Sequence, residues 1–486
     1  MVVVTINPIT RLEGHGVISI FLDEEGHVKR AFLQVPELRG FEKIAVGRHA
    51  EDMPQITSRI CGVCPWAHHM AATKALDDLY KVKPPPAAVK IRELAYNMHI
   101  LEDHALHFFV LAGPDFIVGP RAPRAERNIV GIIKKLGAET VKKIVLARKV
   151  LRDADAIIGG KPVHPVMGLP GGVSKSLTED DRKELLKAAG AALELADTAY
   201  KLLKDLMRNK EYVDLMTSDV YTHRTYYMGL VDDKNRVNFY DGRIRVVDPK
   251  GREHAKFDVH DYLKYIAEHV EPWTYARMSY LKTVGWKGFT DGEDSGVLAV
   301  GPLGRLNAAD GMATPMAQAA YEEMYSALGG KPVHYTLAYH VARVVEMIQA
   351  AEHVKELVDD PEITSPEVRN LPTSKPDVGI GVVEAARGTL IHHYEADENG
   401  LIKKANLIVA TQNNIARICL SIEKAAKALI KGGVVDDGLL NMIEMAFRAY
   451  DPCFACATHS VIGRIPLELK IYDHEGKLIK VITNVD

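Results

Sequence analysis

The spacing of apolar and polar residues predicts a mixed fold with long helices and small sheets. Residues 1–35 alternate β-branched and polar positions around a turn at 24–27, which predicts an antiparallel sheet. Three further strands are predicted at 378–383, 389–394 and 402–409. Apolar residues recur at helical spacing in segments 67–80, 89–111, 185–208, 314–328, 336–357, 414–430 and 437–448. The predicted fold class is therefore α-rich α+β, a helical bundle core with small peripheral antiparallel sheets.

The helix that ends near residue 208 has a predicted start signal. Ser176 and Glu179 stand in the relative positions of a capping box, in which each side chain bonds the backbone of the other. No repeat or low-complexity linker divides the chain, so a large single domain and a two-lobed protein are both compatible with its 486 residues.

Composition excludes several classes of function. Hydrophobic residues make up 47% and charged residues 26%, as in ordinary globular proteins. The net charge of −3 gives no electrostatic case for a nucleic-acid or anionic-membrane partner. We find neither a secretory signal nor an apolar run near the ~20 residues of a membrane span. The sequence predicts a cytoplasmic protein.

Four of the five cysteines form two Cys-x-x-Cys pairs at opposite ends of the chain. Cys61 and Cys64 form the first pair, and Cys453 and Cys456 the second, while Cys419 lies in an apolar run and is predicted to be a core residue. So few cysteines argue against a disulfide framework and favour metal or redox work. The first pair precedes a predicted helix, whose N-terminus favours thiolates. The two pairs predict one four-sulfur metal site.

A structural zinc site is the simplest alternative. Zinc ribbons, however, usually keep their cysteine pairs ~15–20 residues apart, because the metal folds a small module. This chain is long enough to bury a hydrophobic core without a structural metal ion. Titratable groups also crowd both pairs, namely Arg59, His68, His69, Asp451 and His459. The residues alone favour a reactive centre and leave the zinc alternative open.

The segments around both pairs resemble the signatures of a known family. Residues 59–69, RICGVCPWAHH, and 451–459, DPCFACATH, are similar to the paired signatures of the large subunit of nickel-iron hydrogenases. The similarity extends over residues 1–459, through segments 10–15, 39–42, 159–165, 171–173, 384–388 and 406–413. Segments ATQN and CATH look most like the cytoplasmic, archaeal-type enzymes of the methyl-viologen-reducing or deazaflavin-reducing group. The related quinone-reducing subunits of respiratory complexes lack the four cysteines and resemble the chain less.

The resemblance implies a nickel-iron centre that cleaves dihydrogen heterolytically and reversibly. All four thiolates would bind nickel, and Cys64 and Cys456 would also bridge to an iron with carbonyl and cyanide ligands. Cys61 and Cys453 would then be terminal ligands.

Three further residues take catalytic or supporting roles by the same resemblance, and a fourth follows from the need to pair a buried arginine. Glu13 would relay protons from a cysteine sulfur, and Arg387 would polarise the open metal position. We expect Asp115 to pair with Arg387. His68 would hydrogen-bond a bridging thiolate.

Two other histidines, His104 and His107, lie three apart on a predicted helix and could be mistaken for metal ligands. Such a pair is more often satisfied by hydrogen bonds in a protein core. We predict that role for both.

The resemblance also implies a second ion. Glu42, the carbonyl of Leu407 and His459 match the ligands of a magnesium or iron site.

A processing step and partners follow from the resemblance too. Residues 1–459 would form the large-subunit domain, and a maturation endopeptidase would remove residues 460–486, which the pattern predicts as a strand, a turn and a strand. The one cysteine that remains, Cys419, is too few for an iron-sulfur cluster. An iron-sulfur small subunit, and further electron-transfer subunits, would therefore accept the electrons.

Overall fold

The computed structural model describes residues 2–459, 468–472 and 477–483. The helices are α1 Phe41–Ala45, α2 Met53–Ser58, α3 Pro65–Leu79, α4 Pro86–Ala105, α5 Ile129–Leu136, α6 Ala138–Gly159, α7 Glu179–Arg208, α8 Lys210–Met216, α9 Tyr262–Tyr265, α10 Gly301–Ala308, α11 Pro315–Ala327, α12 Tyr339–Asp359, α13 Ala410–Leu429, α14 Asp437–Arg448 and α15 Phe454–Ala457. The strands are β1 Val2–Ile6, β2 Val17–Leu22, β3 Val28–Gln34, β4 Gly168–Leu169, β5 Gly172–Val173, β6 Tyr226–Val231, β7 Arg243–Val247, β8 Glu253–Phe257, β9 Ile266–His269, β10 Met278–Leu281, β11 Leu298–Ala299, β12 Val378–Ala385, β13 Gly388–Ala396, β14 Ile402–Ile408, β15 Glu468–Tyr472 and β16 Leu478–Thr483.

Helix α7 shows how local sequence sets the elements. Its capping box consists of Thr178 and Asp181, two residues after the predicted pair Ser176 and Glu179. Small and aliphatic residues recur along its buried face, whereas its outer face carries lysine–carboxylate pairs one turn apart. Helices α4, α6, α7 and α12 pack against one another in pairs. The mixed helix and sheet fold predicted from the sequence is confirmed.

The sheets are small and mostly antiparallel. Strands β1–β3 form one three-stranded sheet and β12–β14 another, both in the predicted segments. A four-stranded sheet has the order β11-β6-β7-β8, in which β11 and β6 run parallel. Strands β15 and β16 pair antiparallel, as predicted for the C-terminal segment. Two predicted parts of this segment lie outside the described residues: residues 460–467, and the turn between the two strands.

Glycines on β12 allow α3 to lie directly on the β12–β14 sheet. A Cβ atom added at Gly379 would come 2.1 Å from the carbonyl oxygen of Ala75, and one at Gly381 2.2 Å from that of Ala71. Any side chain at these positions would push the helix away. The close packing brings the start of α3, which follows the first cysteine pair, onto β13.

Within the described ranges 2–459, 468–472 and 477–483, no helix is both long and apolar enough to cross a bilayer.

Candidate metal centre

The first cysteine pair forms a tight turn at the start of α3. The pair lies at a helix N-terminus, as predicted. Cys64 is the N-cap, and Pro65 occupies the first turn, where a missing N–H costs nothing. The backbone N–H groups of Val63 and Cys64 donate to Cys61 Sγ at 3.2 and 3.3 Å. These donors and the positive end of the helix favour a negative charge on the sulfurs.

The second pair is held by the N-terminal segment. Glu13 and Cys453 form a parallel β-bridge, and the N–H of Phe454 donates to the carbonyl of Glu13 at 3.0 Å. The N–H of Cys453 donates to Thr411 Oγ1 at 3.0 Å. Backbone contacts thus join the two ends of the chain at this point.

The four predicted sulfurs converge in the interior. Their Sγ atoms all lie within 4.8 Å of one another, with 3.4 Å between Cys61 and Cys453 and 3.5 Å between Cys64 and Cys456. All four cysteines are buried and free of disulfides. Burial opposes ionisation, but hydrogen bonds from the other thiols hold the pKa of Cys61 well below its ordinary value. Burial and the neighbouring thiols raise the pKa values of Cys453 and Cys456.

Glu13 lies against the sulfurs, as the family resemblance implied. Its Oε2 is 2.8 Å from Cys453 Sγ and accepts from the N–H of Ala455 at 3.3 Å. Burial, and then the negative charge of Cys61, raise the pKa of Glu13 to about 7. The carboxyl group can therefore hold or release a proton near neutral pH.

Arg387 is buried beside the sulfurs, but its partner is not Asp115. It donates from Nη1 and Nη2 to both carboxylate oxygens of Asp103 at 2.9 and 3.0 Å, and from Nη2 to Asp451 at 3.1 Å. Burial opposes its charge, yet Asp103, Asp451 and the thiolates hold the pKa of Arg387 well above its ordinary value. Burial raises the pKa of Asp451 to about 7, even though Arg387 opposes the shift.

The predicted pairing of Asp115 with Arg387 is wrong, because Asp115 is already enclosed by two other arginines. Arg11 approaches it at 2.5 Å and Arg448 at 2.6 Å. Burial favours the neutral acid, but these two cations hold the pKa of Asp115 below its ordinary value. Arg448 also bonds Glu444, which accepts from Thr10. This network fastens the segment before Glu13 to α14.

His68 lies one turn after Cys64 and bonds another histidine. Its Nδ1 is 3.1 Å from Nε2 of His392, and Nδ1 of His392 is 2.7 Å from the hydroxyl of Tyr394. Nε2 of His68 is buried and has no hydrogen-bond partner in the part of the chain that the structure describes. Burial lowers the pKa of His68 to about 4, so the imidazole is neutral at pH 7.

The two helical histidines have the core role predicted for them. Nε2 of His104 is 2.8 Å from Glu346, and Nε2 of His107 is 2.8 Å from the carbonyl of Arg448. Cys419 is buried as predicted, and burial raises the pKa of its thiol to about 12.

Glu42, Leu407 and His459 meet next to the second pair. Nε2 of His459 lies 2.7 Å from the Leu407 carbonyl and 3.5 Å from Glu42 Oε1, while Nδ1 lies 2.7 Å from the carbonyl of Cys456. A neutral imidazole has a single N–H and can satisfy only one of these carbonyls. A cation between Nε2 and the two oxygens would satisfy the rest, so the donor set fits a metal ion.

The donor set also fits a nickel-iron centre. Four thiolates suit soft transition metals. Two further buried atoms beside them, Nε of Arg387 and Oδ2 of Asp451, have no hydrogen-bond partner among residues 2–459 or the two described C-terminal strands. Small ligands on a bound metal could contact these two atoms.

Comparison with known proteins shows the family to which the chain belongs. The family described as nickel-dependent hydrogenase matches residues 39–143 and 231–459, and a HoxL-like family matches residues 3–38. The chain belongs to the nickel-dependent hydrogenase family. The family assignment suggested by the two cysteine signatures is therefore confirmed, and the chain is a hydrogenase subunit.

Individual members of the nickel-dependent hydrogenase family match nearly the whole chain. An F420-non-reducing hydrogenase iron-sulfur subunit of Archaeoglobus profundus is 49% identical over 99% of both chains. An F420-non-reducing hydrogenase subunit of Methanothermobacter thermautotrophicus is 40% identical over 99% of this chain and all of its own. The crystal structure of an NAD⁺-reducing [NiFe]-hydrogenase in the H₂-reduced state has a TM-score of 0.88 and 37% identity, covering 94% of this chain and all of its own.

Sequence reasoning missed three residues of the site and gave a fourth no role. The partners of Arg387 are Asp103, one residue before a histidine assigned to the core, and Asp451, which stands beside the second pair in the sequence but was not assigned a role. His392 and Tyr394 are two apart on a predicted strand and hence on the same face, a signal that could have linked them to each other.

Proposed function

We propose that this chain is the catalytic large subunit of a nickel-iron hydrogenase that cleaves dihydrogen reversibly and passes the electrons to an iron-sulfur small subunit. Cys61, Cys64, Cys453 and Cys456 would hold nickel, with Cys64 and Cys456 bridging to an iron that carries carbonyl and cyanide ligands. A nickel-iron centre held there would supply the Lewis acidity that polarises dihydrogen for heterolytic cleavage. The 2.8 Å contact between Cys453 Sγ and Glu13 Oε2 carries the proposal, because it joins a metal-binding sulfur to a proton acceptor.

Glu13 takes the proton in this scheme. The thiol of Cys453 donates to Oε2, and the N–H of Ala455 holds the same oxygen in place. Glu13 is only partly buried, so its proton has a short way to the surface. A pKa of about 7 suits a group that must both accept and release protons.

Arg387 supplies a fixed positive charge at the centre. Asp103 and Asp451 prevent the guanidinium from rotating, so no reorganisation is needed as charge develops during cleavage. His68 would donate from Nε2 to a bridging thiolate and reduce its basicity. In place of its predicted pairing with Arg387, we assign Asp115 to positioning the Glu13 segment.

A second ion, magnesium or iron, would be held by Glu42, the carbonyl of Leu407 and His459. Helices α4, α7 and α12, which the sequence predicted, would form the bundle core together with α6, which it did not. Removal of residues 460–486 by a maturation endopeptidase and a cytoplasmic location stay predictions. The relatives, which are themselves named as hydrogenase subunits, support further subunits as partners.

Glu13→Gln tests the proposal directly. The amide keeps the size of the side chain but cannot carry the proton, so hydrogen-dependent dye reduction should fall by at least about 10²-fold. Nickel and iron per chain should stay unchanged, and conversion of para-hydrogen to ortho-hydrogen should persist, because cleavage itself does not need proton export. The exposed Glu25→Gln is the matched control.

Either of two results would refute the proposal. Full dye reduction by the Glu13→Gln variant would remove the relay. One zinc and no nickel in the purified unsubstituted chain would support the structural zinc alternative.

A further inference from the structure

A buried chain of hydrogen bonds leads away from His68 on the side opposite its free nitrogen. It runs from Nδ1 of His68 to Nε2 of His392 at 3.1 Å, and from Nδ1 of His392 to the hydroxyl of Tyr394 at 2.7 Å. His392 and Tyr394 are fully buried, and His68 is 1% exposed. Bulk water therefore cannot exchange partners with any member of the chain.

The hydrogen-bond chain permits only two arrangements of its protons, since a neutral imidazole has one N–H. In the first, Tyr394 donates to Nδ1 of His392, Nε2–H of His392 donates to Nδ1 of His68, and His68 carries its proton on Nε2. In the second, every bond is reversed, and Nε2 of His68 is a bare lone pair. The two arrangements differ in what His68 offers to the metal centre.

Charge around the free nitrogen favours the first arrangement. Nε2 of His68 has no hydrogen-bond partner within the described part of the chain. The first cysteine pair is one helical turn away, and Cys61 exerts the largest charge effect on the pKa of His68. Its negative charge acts to raise that pKa, against burial and the smaller opposing effects of His459 and Arg39. An N–H is attracted by thiolates, whereas a lone pair is repelled.

The chemistry at the Tyr394 end of the hydrogen-bond chain also favours the first arrangement. The hydroxyl of Tyr394 lies 2.7 Å from Nδ1 of His392, within hydrogen-bond distance. An imidazole nitrogen is a much stronger base than an alcohol or phenol oxygen, and a phenol is a stronger acid than a neutral imidazole. The phenol proton is therefore best shared with Nδ1 of His392.

We propose that Tyr394 and His392 are positioning residues that fix the tautomer of His68, so that His68 presents an N–H at Nε2 to the four-sulfur centre. The inference rests on the proposed function, because the acceptor would be a thiolate of the proposed metal centre. It extends the role of His68 to two residues on a different element, β13. Neither of them needs to touch the metals or dihydrogen.

Tyr394→Phe removes only the hydroxyl at the end of the chain. Tyr262→Phe is the matched control. The hydroxyl of Tyr262, on α9, bonds Nδ1 of His393 at 2.9 Å, and His393 is the neighbour of His392 on β13. Adjacent residues of a strand point to opposite faces, so that pair is separate from His68. Both substitutions remove one buried tyrosine–histidine hydrogen bond, and only one of these bonds belongs to the proposed chain. Tyr262→Phe also removes the bond that its hydroxyl accepts from Asn406 at 2.6 Å, so it is the more demanding control.

The first readout is the tautomer of His68, from ¹⁵N NMR of the full-length subunit labelled at histidine. Signals are assigned with His68→Gln and His392→Gln. We expect protonated Nε2 and bare Nδ1 in the unsubstituted chain and in Tyr262→Phe. One lost hydrogen bond should change the tautomer ratio by about tenfold in Tyr394→Phe.

The second readout is infrared spectroscopy of the assembled, metal-loaded enzyme. A weaker hydrogen bond at the thiolate makes the sulfur a stronger donor, so bands of carbonyl and cyanide on iron should shift in Tyr394→Phe and not in Tyr262→Phe. His392→Gln, whose amide can still donate to Nδ1 of His68, should keep the unsubstituted bands. His392→Leu should shift them.

A proton on Nδ1 of His68 in the unsubstituted chain would overturn the proposal. Unchanged tautomer and bands in both Tyr394→Phe and His392→Leu would overturn it as well. Zinc without nickel in the unsubstituted protein is a different result, because it refutes the proposed function while the NMR measurement still reports the tautomer.

Discussion

Replacing Arg387 by lysine tests whether a fixed guanidinium contributes to turnover. Arg387 makes three hydrogen bonds through two nitrogens, two to Asp103 at 2.9 and 3.0 Å and one to Asp451 at 3.1 Å. Lysine keeps the charge but has one ammonium group on a flexible stem, which cannot hold the same fork. The substitution therefore removes the positioning of the charge and keeps its sign.

The size of the effect follows from what is lost. Removing one preorganised donor in an active site costs about 10²–10³ in kcat, or about 2.7–4 kcal/mol. Because lysine keeps its charge, we expect the lower end of that range for Arg387→Lys, about 10². The interaction acts as charge develops, so kcat and kcat/KM for dihydrogen should fall together. The assay is hydrogen-dependent dye reduction by the assembled enzyme, expressed per nickel.

Arg92→Lys is the matched control for this experiment. Arg92 is also fully buried and bonds a carboxylate, Asp77, together with the carbonyls of Leu169 and Gly172. Replacing Arg92 by lysine should reduce the yield of folded enzyme and leave turnover per nickel unchanged. An Arg387→Lys enzyme with full nickel and iron that keeps more than about a tenth of kcat, a loss below about 1.4 kcal/mol, would refute the reasoning.

Two further predictions concern the surroundings of the centre. Asp115→Asn should leave Arg11 and Arg448 short of a counter-charge at a cost of about 3 kcal/mol, so amide exchange at Phe454 should accelerate about 10²-fold, and an unchanged rate would contradict the anchoring role. Glu42→Gln should remove the second ion, measured as one equivalent of magnesium or iron lost per chain with nickel unchanged, and retention of that equivalent would show that Glu42 is not a ligand.

Local patterns in the sequence predicted much of the fold. The three segments predicted as strands match β12, β13 and β14, and α14 begins and ends where its periodicity predicts. Helices α5 and α6 were missed. Helix α6 has exposed apolar residues, Val145 and Leu146, on the side away from the core, which blur its helical periodicity.

Pairings between distant residues were harder to predict from the sequence. Asp115 and Asp103 are both buried acids near the end of α4, and either could neutralise a buried arginine. The structure shows why Asp103, and not Asp115, is the partner of Arg387. Asp103 lies on the last full turn of α4, whereas wider π-helical turns after Ala105 carry Asp115 to Arg11 and Arg448. Such a change of helix type leaves no clear periodic signal.

The meeting of the chain ends depends on a close backbone contact that glycine makes possible. Gly14 has φ +85°, and a Cβ atom there would lie 2.8 Å from the backbone nitrogen of Ala455. Without that side chain, the N-terminal segment lies directly against the second cysteine pair, and the bridge between Glu13 and Cys453 can form.

The far side of the second pair is fixed by the same part of the chain. The N–H of Arg39 donates to the carbonyl of Thr458 at 2.9 Å, and that of Glu42 to the carbonyl of His459 at 3.3 Å. Backbone bonds from the first 42 residues therefore hold segment 453–459 at both ends. The positions of two sulfurs, the proposed proton acceptor and the proposed second-ion ligands depend on this one set of contacts, so the proposed chemistry requires the N-terminal segment as much as the cysteines themselves.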